Sequence, residues 1–122
     1  GSSINEVVAH VKATIDDPDI SISVHQGNEP SKVSSSTSKN YSIIETTIRE
    51  TIKDVIISPG LMLAGSDSKH YESMSEDNYR FIPMRLGPND LSRIHGTNER
   101  IMVKNYKEVI QFYSRLMENA GR

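Results

Sequence analysis

Val55-Ile56-Ile57-Ser58-Pro59-Gly60-Leu61-Met62-Leu63-Ala64-Gly65-Ser66-Asp67 is the stretch on which the fold reading turns. Two short apolar runs, Val55 to Ile57 and Leu61 to Ala64, are broken by Pro59-Gly60, a pattern that suits buried strand material in a parallel sheet. The second run leads into Gly65-Ser66-Asp67-Ser68-Lys69-His70-Tyr71, a polar turn at the C-terminal end of an expected strand. Ligand sites gather at such ends in open α/β sheets. Downstream, Tyr79-Arg80-Phe81-Ile82-Pro83 reads as another short strand, entered from the acidic turn Ser75-Glu76-Asp77-Asn78. Upstream, Ile20, Ser21, Ile22, Ser23 and Val24 alternate with period two, as in a strand with one buried face. The expected fold class is therefore α/β with a mostly parallel sheet.

Helical patterns surround these runs. Ile4, Val7, Val8, Val11 and Ile15 fall at helical spacing behind the capping-box sequence Ser3-Ile4-Asn5-Glu6, which predicts a helix from Ile4 to Ile15 ending at Asp16-Asp17-Pro18. Ser42-Ile43-Ile44-Glu45 repeats that form and predicts a helix from about Ser42 to Lys53, with Tyr41, Ile44, Ile48, Ile52 and Val55 as its apolar stripe. The clearest pattern predicts a helix from about Lys104 to Asn119, with Tyr106, Val109, Ile110, Tyr113, Leu116 and Met117 on one face and Gly121 just past its end. Between Gly27 and Ser38, Gly27-Asn28-Glu29-Pro30 and a Ser-rich tract read as an inter-domain hinge, with a long surface loop as the alternative.

The composition bounds what such a chain does. Its 122 residues are one domain's worth or a piece of a larger one, and 14 Lys plus Arg against 16 Asp plus Glu give a net charge of -2. A near-neutral balance without a Lys/Arg stripe argues against nucleic acid as the main partner. Without cysteine there is no disulfide framework, thiolate metal site or Cys nucleophile. No apolar run approaches the roughly 18 to 20 residues of a membrane helix. Neither a span nor a signal peptide is expected. An apolar share of 35% and a mean hydropathy of -0.49 predict a thin core, or one completed by something outside the chain.

Ionisable groups crowd two loops, Ser66 to His70 and Asp90 to Glu99, the second within an aperiodic stretch from Leu86 to Arg100. Asp67, His70, His95 and Glu99 are nitrogen and oxygen donors of the kind zinc takes, with ordinary polar turn residues as the competing reading. His95 and Glu99 share a helical face only in a helix, which Gly96 and Asn98 oppose. A triad of Ser66, His95 and Asp67 lacks the Gly-x-Ser-x-Gly elbow. His10 reads as a partly exposed helix residue and His25 as a structural or exposed group at a strand end.

The ordered strings Pro59 to Tyr71, Tyr79 to Pro83 and Asp90-Leu91-Ser92-Arg93-Ile94-His95-Gly96-Thr97-Asn98-Glu99-Arg100-Ile101 resemble the C-terminal part of the two-zinc aminoacylase and carboxypeptidase family. The carboxypeptidase S and N-acyl-amino-acid hydrolase branch is the nearest, and the resemblance runs from residue 1 to the final helix. It implies that residues 1–33 are the last helix and strand of an inserted, dimerisation-type lid domain plus hinge, and that 34–122 are the C-terminal half of the catalytic metallopeptidase domain. It also implies that His95 holds one of two zinc ions, with Asn98 and Glu99 fixing its loop and imidazole. Gly65, Ser66, Asp67 and Lys69 then lie at the substrate carboxylate, and His70 supports their loop. Lys69 stands where relatives commonly carry Arg, keeping the charge without the bidentate fork.

By the same resemblance, the other metal ligands, the general-base glutamate and a lid histidine lie upstream, so no catalytic group is expected in this chain and the isolated chain is expected to be inactive. The implied activity is zinc-dependent cleavage of the amide bond next to a free amino-acid carboxylate, in small peptides or in N-acyl amino acids. A non-catalytic fragment or interaction domain is the third reading. The implied partners are the substrate, the N-terminal half of the same enzyme and a second copy through the lid. A carboxypeptidase S-like protein would be vacuolar or secretory and other relatives cytoplasmic; Asn40-Tyr41-Ser42 fits a glycosylation acceptor.

Overall fold

Helix α1, Ile4–Ile15, forms where its local signals place it. In the computed structural model, which describes all 122 residues, Ser3 Oγ accepts from the Glu6 N–H at 3.2 Å and Glu6 Oε2 accepts from the Ser3 N–H at 2.7 Å. Those reciprocal bonds satisfy two of the helix's orphan donors, and the Ser3 N–H, then the Ser3 hydroxyl, hold the Glu6 carboxyl below its ordinary range. The helix stops at Asp16, which adopts a left-handed conformation (φ 47°) and donates its N–H to the Lys12 carbonyl at 3.0 Å.

The chain divides into two compact units, Gly1–Val33 and Ser34–Arg122. Every residue of the first unit is at least partly exposed. Within it the chain returns to the start of α1, where the Ile4 N–H donates to Glu29 Oε2 at 3.3 Å. Gly27 sits so close that a Cβ there would meet Ile4 Cδ1 at 3.0 Å.

The second unit is built on α2, Lys39–Thr51, packed against α3, Val103–Ala120. The start of α2 corrects the expected one. Ser38 is the cap, accepting from the Tyr41 N–H at 3.2 Å, while Ser42 lies inside the first turn and donates to the Ser38 carbonyl. The second half of the expected hinge is tied into this unit: Ser38 Oγ lies 2.6 Å from Tyr79 Oη, Ser35 donates its N–H to Asp77 at 2.7 Å, and Ser34 bonds both backbone groups of Asn78.

Phe112 (1% exposed) and Asn105 of α3 and Ile48 and Thr47 of α2 are the buried side chains of the two helices. Phe112 meets the rings of Phe81 and Tyr113 with centroids at 5.1 and 5.3 Å. Such a ring, fully buried, stabilises the fold by roughly 1.5–3 kcal/mol. At the other end of the contact, Arg115 grips Glu50 at 2.7 and 3.1 Å while Asn119 bonds Thr47 and Glu50. Gly121 closes α3 at φ -84°, a conformation open to any residue.

The expected mostly parallel sheet is absent: the molecule is helical and contains no strand. Ile20–Val24, Val55–Ile57, Leu61–Ala64 and Tyr79–Pro83 all lack a ladder. Apolar runs supply only the side-chain half of a strand, and an unpaired segment leaves its N–H and C=O groups to other partners. Ile56 and Leu63 are 99% and 94% exposed, so Val55–Ile57 and Leu61–Ala64 contribute no buried residue, whereas Phe81 packs on Phe112.

Candidate functional site

Ser66 organises the first of the two polar loops. Its backbone is extended and its Oγ caps a short 3-10 turn, Asp67–Tyr71, facing the Ser68 N–H at 3.4 Å, while Lys69 donates its N–H to the Ser66 carbonyl at 3.3 Å. The Ser66 and Ser68 hydroxyls lie 2.8 Å apart. Arg80 reaches back from the Tyr79–Pro83 segment and places Nε 2.6 Å from Ser68 Oγ and 3.0 Å from Ser66 Oγ. Gly65 has open space around it, since a Cβ there would meet nothing within 4 Å. Gly65, Ser66, Asp67, Lys69 and His70 are all exposed. They form one contiguous polar rim with a half-buried guanidinium behind it.

The second loop braces itself. Asp90 accepts from the Gly87 N–H at 2.6 Å and pairs with Arg93, whose turn Leu91–Arg93 leads directly into His95. His95 and Asn98 both take left-handed backbone conformations, at φ 58° and 62°. That region is uncommon for residues other than glycine, and Asn and His are among those most enriched in it. The next turn is tight: Gly96 donates to the Arg93 carbonyl at 2.9 Å, and a Cβ at Gly96 would come within 3.2 Å of the Ser92 carbonyl. His95, Asn98 and Glu99 are exposed.

No three His, Asp or Glu side chains converge into a group that could hold a metal ion. Asp67, His70, His95 and Glu99 therefore do not come together as a local four-ligand group. The side chains that shape the unit's electrostatics lie elsewhere. Burial pushes the Tyr79 hydroxyl up, the Ser35 N–H holds Asp77 down, and the Arg85 guanidinium holds Glu108 down. The hydrogen bonds from Arg115, and then Asn119, hold the Glu50 carboxyl down to about 2.

Sequence reasoning missed Arg80, whose only local signal was a charge inside the run Tyr79-Arg80-Phe81-Ile82. It also missed Asn105, which is buried and bonds Pro83, Arg85 and Glu108.

With this geometry in place, comparison with known proteins gives the class. Residues 2–119 match the model of Peptidase family M20/M25/M40, and the chain belongs to that family. Among individual relatives it is 40% identical over 123 residues to "Probable carboxypeptidase S-like 2" of Dictyostelium discoideum, an alignment covering 100% of this chain and 24% of that protein. It is 33% identical over 120 residues to N-fatty-acyl-amino acid synthase/hydrolase PM20D1.1 of Danio rerio, covering 97% of this chain and 23% of the relative. The Mus musculus N-fatty-acyl-amino acid synthase/hydrolase PM20D1 is 34% identical over 121 residues, at 97% and 24% coverage. The chain thus spans about a quarter of the length of these relatives. No solved structure matches it.

Proposed function

We propose that this chain forms part of a zinc-dependent hydrolase that cleaves the amide bond next to a free amino-acid carboxylate. The observation that carries the reading is the family match over residues 2–119, within which the Gly65–His70 and His95–Glu99 motifs fall in order. Residues 34–122 are assigned to the C-terminal half of the catalytic domain, and residues 1–33 to the end of a lid whose exposed Val7 and Ile15 suit contact with a second copy.

A catalytic zinc needs about three protein ligands and an open position. His95, exposed at the apex of a braced loop, fits one ligand, and no local group supplies the rest. These 122 residues alone do not make the site, and the remaining ligands are assigned to other parts of a longer enzyme. Zinc supplies Lewis-acid polarisation of the carbonyl and acidifies water.

The chain's own residues are assigned to binding. The Ser66 hydroxyl, the backbone around Gly65 and Asp67, and the Lys69 cation receive the substrate carboxylate, while Asn98 and Glu99 fix the His95 loop and His70 backs the substrate loop. Carboxypeptidase action on small peptides is the first substrate assignment. N-acyl amino acids are the second, supported by the names of the Danio and Mus relatives. Turnover of a dipeptide and of a fatty-acyl amino acid by the full-length protein separates them. His95→Ala in the same protein is expected to lose one of two bound zinc ions and nearly all turnover; intact zinc and activity would leave the chain as a non-catalytic interaction domain.

A further inference from the structure

The hydrogen-bond inventory around Ser66 points to a residue that the loop motif itself does not contain. Two hydroxyls 2.8 Å apart share one O–H between them, so one of their two hydroxyl hydrogens stays free to donate outward. Their acceptor capacity is already engaged. Ser66 Oγ and Ser68 Oγ share the single Arg80 Nε–H as a bifurcated bond at 3.0 and 2.6 Å, and Ser66 Oγ also faces the Ser68 N–H. What remains available at this exposed rim is a donor backed by a fixed positive charge. Such a cluster favours an anion over a neutral acceptor, because charge-assisted hydrogen bonds are about twice as strong as neutral ones.

We infer that Arg80 is a positioning residue for substrate: its Nε–H engages the acceptor side of the Ser66–Ser68 pair, leaving the pair's one free O–H as a donor, and its charge makes that donor selective for a carboxylate. The inference rests on the proposed assignment of Ser66 to the substrate carboxylate. It also supplies what Lys69 lacks. Lysine is a mobile point charge, whereas the guanidinium is planar and holds its donors in fixed directions. The Arg80 guanidinium is half-buried and anchored across 12 and 14 residues of sequence, while Lys69 is exposed.

The test uses the full-length protein with an N-acyl amino acid and with the same substrate carrying a carboxamide in place of the carboxylate. Arg80→Gln is expected to raise KM for the carboxylate substrate roughly 10- to 100-fold, the worth of a hydrogen bond to a charged group. Turnover of the carboxamide should fall by only about fivefold, since its oxygen accepts a neutral hydrogen bond from the same hydroxyl. Arg80→Lys restores part of the loss, and Ser66→Ala/Ser68→Ala combined with Arg80→Gln costs far less than the sum of the separate effects, because all three changes break one unit. Equal losses on both substrates, or full additivity, overturn the inference as a case of simple misfolding or independent roles. Wild-type turnover with an unchanged KM in Arg80→Gln overturns the inference alone. Absence of wild-type turnover on every amide tested overturns the hydrolase assignment and this extension with it.

Discussion

Replacing Asn105 tests whether one buried amide holds the Phe81–Arg85 segment on α3. Its Nδ2 donates to the Pro83 carbonyl at 2.8 Å and to Glu108 Oε2 at 3.1 Å, and its Oδ1 accepts from the Arg85 N–H at 2.9 Å. Asn105→Ala strands two backbone groups at once, of which the Pro83 carbonyl is the buried one and the Arg85 N–H partly so. At roughly 1–3 kcal/mol for each unpaired buried group, with the lower end for Arg85, the expected loss is about 2–4 kcal/mol. In urea, with a slope of about 1–3 kcal/mol/M for a small domain, the midpoint should fall by roughly 1–3 M. Asn105→Asp should be worse at neutral pH, because a carboxylate would face both the Pro83 carbonyl and the Glu108 carboxylate, and it should recover as the solution is acidified. Far-UV circular dichroism through a urea titration reads both variants, with Phe112→Ala, expected to cost about 3–5 kcal/mol, as the control. An Asn105→Ala loss below about 1 kcal/mol beside a normal Phe112→Ala loss would refute the claim that the amide carries the segment.

Other outcomes follow from the same structure. Ser38→Ala should cost about 1 kcal/mol through loss of the α2 cap, whereas Ser42→Ala should stay within about 0.5 kcal/mol; equal costs in thermal unfolding would count against Ser38 as the cap. Glu50 is held at about 2, below its ordinary value of 4.5, so its pairing with Arg115 stabilises fully above pH 4.5 and is lost as the pH falls towards 2. Glu50→Gln should flatten the acid limb of stability in that window; an unchanged limb would remove the pair from the account. The 122 residues alone, dialysed after zinc loading, should keep far less than one ion per chain, and tight stoichiometric zinc by elemental analysis would demand a local site that the structure does not form.

What was legible in the sequence depended on the reach of each signal. Helix α1 was readable to the residue because Ser3 and Glu6 lie within one turn of each other. The start of α2 was not, because Ser38 and Ser42 offer similar local caps and the hydroxyl that favours Ser38 comes from Tyr79, 41 positions away. The site loops were legible as motifs, Gly65 to His70 and His95 to Glu99, since resemblance reads residue order directly. Arg80 escaped for the reason Tyr79 did: its partners Ser66 and Ser68 are 14 and 12 positions distant, and an arginine in a short apolar run carries no mark of what it reaches.

The failed strands have a more particular cause, and Phe81 to Arg85 shows it. The Phe81 carbonyl accepts from Tyr113 Oη at 3.2 Å, the Pro83 carbonyl from Asn105 Nδ2, and the Arg85 N–H donates to Asn105 Oδ1. Positions 81, 83 and 85 thus turn their backbone groups toward α3, whose side chains occupy the place of a neighbouring strand. Period two in a sequence reports that alternate residues face the same way, and it is equally satisfied by a strand partner or by amide and phenol groups on a helix. The runs at Val55–Ile57 and Leu61–Ala64 have neither, and Pro59 between them offers no donor to a ladder. An apolar run therefore predicts a demand for burial and pairing, and only the surrounding polar groups decide which kind of partner meets it.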